Sequence, residues 1–149
     1  MNITLDTTVL AKGLIPPRRR KRDTIYEEQF RLHTIAKSII GEVENKESIM
    51  YIPSVAIVEI AAVGARLTGE EEKGVEVSNF VSEYGNIIFD VDFLDKAVGT
   101  AAQTKISGFD SIFIACAQLT GSLLITDDRK MFDAAVKIGI KAKLLRDIK

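Results

Sequence analysis

One cysteine, Cys116, and one histidine, His33, are all that 149 residues hold of the two side chains most used for soft-metal binding and nucleophilic catalysis. A lone cysteine excludes an intramolecular disulfide framework and any multi-cysteine zinc site, and a lone histidine excludes catalysis by a histidine pair. No apolar run approaches the roughly 20 residues that span a bilayer. The N-terminus "MNITLDTTVL" lacks both the basic segment and the long apolar segment of a signal peptide. The expectation is therefore a cytoplasmic protein without a membrane partner. A strong charge of one sign is missing too: the formal net charge is −1, so the molecule as a whole is no electrostatic magnet for nucleic acid. What is present, 46% hydrophobic and 28% charged residues, describes a globular chain long enough for one domain, 1–149, with a real core. Carboxylates are left as the main candidates for metal chemistry.

The charges that exist are segregated. "PPRRRKR", residues 16 to 22, carries five positive charges in a row; subtracting these from the formal count leaves the remainder at about −6. Two readings stand side by side: a solvated loop introduced by Pro16 and Pro17, or a phosphate-contacting arm made of Arg18, Arg19, Arg20, Lys21 and Arg22.

Periodicity along the chain alternates between the two regular structures. "NITL" (2–5) reads as a strand, followed by a short helix in "DTTVLAKGLI" capped by Asp6 or a neighbouring threonine. After the basic run, Ile25, Phe30, Leu32, Ile35, Ala36, Ile39 and Ile40 recur at helical spacing, and "ENKES" separates this long helix from a strand in "IMYIP" (49–53). Pro53 blocks continuation of that strand and Ser54 is placed to cap a third helix over 54–67. A fourth helix in "TGEEEKGVEVSNFVSEYG" has acidic residues in its first turn, the favourable end of the macrodipole. "NIIFDVD" (86–92) gives a third strand and "DFLDKAVGTAAQTK" a helix with Phe93, Ala97 and Ala101 on one stripe. The next helix, in "GFDSIFIACAQLTG", sets Phe109, Ile112, Phe113, Cys116 and Leu119 on one face and ends near Gly121. "SLLIT" is a fourth strand, "RKMFDAAVKIG" a helix stopped by Gly139, and "AKLLR" a fifth strand. Strands separated by helices predict an α/β fold, a parallel sheet covered by helices on both faces.

In such a sheet, ligands bind beyond the carboxyl ends of the strands, where loops converge and helix N-termini open. Asp6 follows strand one; Asp127 and Asp128 follow strand four. Helix capping alone would account for Asp6 or Asp128 singly. Glu59 is harder to dismiss, as the only charged residue between Val55 and Ala65 in a helix apolar nearly all round and therefore expected to be mostly buried, where an unpaired carboxylate is costly. A partner such as Arg66, or escape to the rim, is the structural alternative. Asp110, ahead of "IFIACAQL", sits in a first helical turn that favours negative charge. If the four acids converge, their repulsion is relieved by protonation or by a divalent cation, and an all-oxygen shell suits Mg²⁺ or Mn²⁺. Such a cation supports phosphodiester hydrolysis.

On these residues the chain resembles the PIN-domain nucleases, and within them the small VapC-like toxin ribonucleases of toxin–antitoxin pairs. The resemblance runs nearly end to end. It is carried by "LDTTVL" with Asp6, "PSVAIVEI" with Glu59, "GFDSIFIACA" with Asp110 and "LLITDDRKMF" with Asp128, strings that are common singly and specific in their order and spacing. The resemblance implies a single α/β/α domain with a central parallel sheet of about five strands in the order 3-2-1-4-5. It implies Mg²⁺ or Mn²⁺ at Asp6, Glu59, Asp110 and Asp128 as the catalytic residues, and hydrolysis of RNA. The family's fourth motif is threonine, any residue, aspartate, so Thr126 and Asp128 map directly. Asp127 falls on the variable position and is secondary, adjusting the local field or capping the next helix. Thr7 matches a hydroxyl position near the metal. A small antitoxin in the active-site groove and a homodimer are further implications. Compared with the shortest such toxins the run 16–22 is an insertion, which leaves it as an RNA-binding arm, a partner-docking element or a loop without a role. Asp90, Asp92 and Asp95 match no motif, and Asp92 reads as a helix cap. Alternatives are an RNA-processing nuclease of the same fold without an antitoxin, a catalytically inactive RNA- or partner-binding domain, and a phosphoryl-accepting receiver-like module. The last expects its acidic pair after strand one, whereas here the pair follows strand four.

Overall fold

Five short apolar stretches pair into one sheet, and the order in which they pair decides which loops meet. In the computed structural model, which describes residues 1–149, β1 (Asn2–Leu5), β2 (Ile49–Pro53), β3 (Gly85–Ile88), β4 (Leu123–Thr126) and β5 (Ala142–Leu144) are all parallel and lie in the order β3-β2-β1-β4-β5. The central strand is apolar at Ile3 and Leu5, both fully buried, and its Thr4 is buried as well, as residues are in strands covered on both faces. From β1 the chain builds outward to β3, then returns to the other side of β1 with β4. That reversal puts the loops after β1 and β4 side by side at the sheet's carboxyl edge, the place where open α/β sheets bind ligands.

Seven helices cover the sheet: α1 (Thr7–Leu14), α2 (Thr24–Glu44), α3 (Val55–Thr68), α4 (Glu71–Tyr84), α5 (Leu94–Thr104), α6 (Gly108–Thr120) and α7 (Arg129–Lys137). They pack largely as consecutive pairs, α1 on α2, α3 on α4 and α5 on α6. The main core joins Ile3, Leu5, Ile52 and Leu124 of the sheet to Leu10, Ala36, Ile60 and Phe113 of the helices. No helix is long and apolar enough to cross a membrane.

The predicted elements appear in the predicted order, with corrections at their ends. Strand three stops at Ile88 rather than running to 92, and Asp90–Asp92 forms a 3-10 turn. Its partner explains this: Ile88 pairs with Pro53, the last residue of β2, so no ladder exists for Phe89 and Val91, which stay exposed. The fifth strand ends at Leu144, paired with the last residue of β4, and Leu145–Asp147 is a second 3-10 turn. Ser54 makes no side-chain cap, because its backbone is already helical (φ −54°, ψ −33°); its N–H instead donates to the Ile88 carbonyl at 2.9 Å. Asp92 caps nothing, since α5 begins after Phe93 without a side-chain cap. The stripe of α2 is buried only from Leu32 onward, with Ile25 and Phe30 about half exposed. Nor is α3 mostly buried: Ala56, Ile60 and Gly64 face the interior, and Val58 is 71% exposed. By contrast, α6 ends as its sequence indicates, on Gly121 in the left-handed region (φ 63°) that glycine adopts without strain.

Candidate metal centre at the sheet's carboxyl edge

Asp6 stands at the first residue beyond β1 and is only 2% exposed. Its backbone N–H reaches across to the Ile125 carbonyl at 3.2 Å, which stitches the ends of β1 and β4 together. Its side chain divides its work between two oxygens. Oδ1 caps α1, accepting from the Val9 N–H at 2.8 Å and the Thr8 hydroxyl at 2.7 Å, while Oδ2 accepts from the Thr126 hydroxyl. Capping and site-building thus coexist in one carboxylate. Burial pushes its carboxyl up from the ordinary value, against the hydrogen bonds from Thr126, Val9 and Thr8 and the charge of Lys12.

Thr126 is fully buried and links two of the acids: its hydroxyl donates to Asp6 and accepts the Asp128 N–H at 3.0 Å. Asp128 caps α7 through a single oxygen, Oδ1, which takes the Lys130 and Met131 amides at 2.8 and 3.3 Å. Its other oxygen makes no hydrogen bond within the chain, so capping leaves it available to a ligand.

Glu59 projects from α3 in a half-buried position, and its Oε2 accepts from the Thr7 hydroxyl. No ion pair with Arg66 forms; Arg66 acts on Glu59 only as a distant charge. Burial raises the Glu59 carboxyl, and the neighbouring charges of Asp6 and Asp110 raise it further, with Thr7 and Arg66 opposing. Asp110 lies half-buried in the first turn of α6. The cap there is Ser107, whose hydroxyl accepts the Asp110 N–H at 3.1 Å. Its carboxyl is also raised, chiefly by burial and additionally by Asp128.

The four acids form a chain of neighbours: the charges of Asp6 and Asp110 act on Glu59, and that of Asp128 acts on Asp110. They stop short of a closed cage: no three such side chains come together tightly enough to enclose an ion. The donor set still fits a hard divalent cation, being all oxygen and held in surroundings that penalise negative charge. Mg²⁺ characteristically takes only one or two carboxylates directly and reaches others through water.

Of the two roles expected of Asp127, capping the next helix is overturned, since Asp128 is the α7 cap. The Asp127 side chain, 6% exposed, accepts from Lys12 Nζ at 2.6 Å and from Arg146 Nε at 3.0 Å, and its backbone carbonyl accepts from Arg146 Nη2 at 3.0 Å. Burial alone would raise its carboxyl, but these two cations outweigh that and hold it below the ordinary range. Lys12, Arg146 and Ser107 were not found from the sequence; for the two cations, nothing local signals a partner 115 or 19 residues away.

The basic run is a loop between α1 and α2 whose charges are unequal. Arg19 is forked onto Asp23 at 2.9 and 2.6 Å, so Asp23, the cap of α2, is pulled down to about 2. Arg22 lies 3.9 Å over the Tyr26 ring. Arg18 lines a cavity of about 350 Å³ beside the site, together with Thr8, Lys12, Pro16, His33 and Val63. Arg20 and Lys21 are exposed and engage no partner.

The PIN domain family model matches residues 3–137. Among solved structures, the chain is similar to VapBC2 from Rickettsia felis bound to a DNA fragment from its promoter, at 13% identity over 97% of this chain and 98% of that one, TM-score 0.64. It is similar to FitAcB from Neisseria gonorrhoeae at 16% identity over 98% and 99% of the chains, TM-score 0.59. A toxin–antitoxin complex from Klebsiella pneumoniae is similar at 24% identity over 87% and 89%, TM-score 0.58. At these identities the likeness is one of fold. No curated protein matches the chain in sequence. With the all-parallel 3-2-1-4-5 sheet and a family match covering most of its length, the chain belongs to the PIN domain family.

Proposed function

We propose that the chain is a metal-dependent endoribonuclease, the toxin of a toxin–antitoxin pair acting in the cytoplasm. The observation that carries this is the row of four acids at the switch-point crevice, three of them with carboxyls raised by burial. Side chains that are driven toward neutrality by their surroundings, yet supply only oxygen, are stabilised as anions by a divalent cation. Asp6, Glu59, Asp110 and Asp128 would hold Mg²⁺ or Mn²⁺, directly or through water. The bound cation would supply charge stabilisation at a phosphoryl oxygen and activation of water. Thr126 fixes the separation of Asp6 and Asp128, and Thr7 orients Glu59. Arg20 and Lys21, unpaired on the neighbouring loop, would contact RNA phosphates; Arg19 and Arg22 are committed elsewhere, and Arg18 faces the cavity.

The toxin assignment is supported by solved structures of the same fold, described as VapBC, FitAB and toxin–antitoxin complexes. By that analogy, a small antitoxin and a second copy of this chain are the proposed partners. A domain that binds RNA or a partner without catalysis is the competing reading, favoured by the open spacing of the acids, which do not close into a three-acid cage.

Asp6→Asn and Asp128→Asn test the assignment. An amide oxygen can accept the same cap N–H groups, and at position 6 the amide nitrogen can donate to the Thr126 hydroxyl in place of the bond that hydroxyl now gives, so both variants should fold. Mn²⁺-dependent cleavage of single-stranded RNA should fall to background, and the growth arrest caused by expressing the wild type without a partner should be relieved. Cleavage undiminished in both variants would exclude the four-acid site as the centre of catalysis.

A further inference from the structure

Asp127 is the one acid near the crevice that its neighbours fully neutralise, and the elements it joins are the ones the site depends on. Lys12 comes from α1, the helix that Asp6 caps and that begins with Thr7. Arg146 comes from the 3-10 turn that follows β5 and bonds Asp127 twice, at the carboxylate and at the backbone carbonyl. That turn is itself tied to α2, since Arg31 donates to the Arg146 carbonyl at 3.2 Å and is forked onto Glu28 at 2.8 Å. Between Thr126 and Asp128 the only other side-chain anchor toward α1 is the Thr126 hydroxyl on Asp6, its cap, and Asp127 alone ties the segment to the C-terminal turn. Otherwise the segment is held by that bond, by the Asp128 amide on the Thr126 hydroxyl and by the Asp128 cap of α7, none of which reaches the C-terminal turn.

We infer that Asp127 is the positioning residue of this site, clamping the Thr126–Asp128 loop between α1 and the C-terminal turn, so that residues beyond the last conventional helix help to set the spacing of Asp6 and Asp128. The inference rests on the nuclease reading above. A carboxylate held by two cations from different elements has one geometry available to it, and bidentate use of a guanidinium adds direction as well as charge. Groups hydrogen-bonded directly to a metal ligand, as Thr126 is to Asp6, typically change metal affinity or activity by about 10- to 100-fold when removed; Asp127 acts through the backbone it shares with Thr126 and Asp128, so its effect falls at or below the lower end of that range. Lys12 contributes a second effect, since its charge also lowers the Asp6 carboxyl.

Arg146→Met is the cleanest variant, because Arg146 approaches Asp127 from the side of the C-terminal turn and its side chain is half exposed. Arg146→Lys keeps one cation on the carboxylate and gives up the second hydrogen bond to the backbone carbonyl. Asp127→Asn keeps the shape and removes the charge. Three measurements on the full chain decide the matter: Mn²⁺ affinity by calorimetry, amide hydrogen exchange over residues 124–130, and kcat and KM on RNA. For Arg146→Met, Mn²⁺ affinity should weaken several-fold, up to about tenfold. Exchange at the Asp128 amide should accelerate, and kcat should fall with KM little changed. Arg146→Lys should recover part of each effect, which a merely structural role would not require. If the variants lose thermal stability but keep wild-type Mn²⁺ affinity and loop exchange at temperatures where they are folded, Asp127 is a structural ion pair and the inference fails alone. If the wild type neither binds Mn²⁺ nor cleaves RNA, the nuclease reading fails and this positioning role falls with it.

Discussion

Burial and hydrogen bonding act in opposite directions on Asp6, Glu59, Asp110 and Asp127, and the balance differs from one residue to the next. For Asp6, Glu59 and Asp110 burial wins; for Asp127 two cations win. Glu59 offers the clearest test, being raised first by burial and then by Asp6 and Asp110. A carboxyl raised above its unfolded value, about 4.3, contributes stability that is complete below that value and is lost as pH rises through the folded value. Glu59→Gln removes the titration while its amide oxygen still accepts from Thr7. Without metal, variant and wild type should have similar urea midpoints near about pH 4, and the variant should become the more stable as pH approaches neutrality. Mn²⁺ at neutral pH should then stabilise the wild type and affect the variant less. A difference that stays flat across this range would mean that the crevice does not perturb Glu59. Asp6 and Asp128 stood out in the sequence because each sits at a strand's end followed by a helix, Glu59 because it is the only charge in an apolar helical stretch, and Asp110 because it opens an apolar helix. Lys12 and Arg146 did not, because their significance arises only when the C-terminal turn folds back on the β4–α7 loop.

Elements were legible wherever their apolar residues form an unbroken run or a helical period, whether or not the element is then buried on one side only. The stripe of Phe109, Phe113 and Cys116 on α6 emerged directly from spacing, and so did the apolar run of β4. The ends of β3 and β5 were overextended because apolar residues continue past the point where a neighbouring strand is available, and a sequence does not display where its partner stops. The close approach of α3 and α4 was equally hidden. Gly64 and Gly74 face each other there, and a Cβ built on Gly64 would lie 3.1 Å from Gly74 Cα. A Cβ on Gly74 would run into the Ala61 carbonyl oxygen and lie 3.0 Å from Ala65 Cβ, backbone-close contacts that no rotamer change relieves. Gly74→Ala should therefore cost about 1–3 kcal/mol in denaturant unfolding despite its better helix propensity. Gly99→Ala, on α5 with nothing within 4 Å of the added carbon, should stabilise by up to about 1 kcal/mol. Equal effects at the two sites would mean that α3 and α4 separate freely. Since α3 carries Glu59, the packing of this pair also sets how far that acid stands from Asp6.

At the scale of the whole molecule, charge segregation places a positive loop beside a crevice of acids on a chain whose formal charge is −1. The run is visible in the sequence; which of its charges are free is a property of the fold. Asp23 neutralises Arg19, and the Tyr26 ring covers the Arg22 guanidinium. For a single-stranded nucleic acid, the slope of log affinity against log salt becomes shallower by about 0.7 for each phosphate that a protein cation ceases to neutralise. Replacing Arg20 and Lys21 together by Gln should thus reduce the slope for RNA binding by about 1.4, with weaker binding at low salt. Arg19→Gln should change it less, because the charge removed is already paired, although the variant should lose the support that Arg19 gives to the α2 cap. The measurement is a salt titration of single-stranded RNA binding by wild type and both variants, made with the cleavage-deficient Asp6→Asn background to keep the ligand intact. If the slope is unchanged in the double variant, RNA does not touch this loop, and its charges serve solvation alone. If Arg19→Gln matches the double variant, the pair with Asp23 opens on binding, and the loop rearranges when RNA arrives.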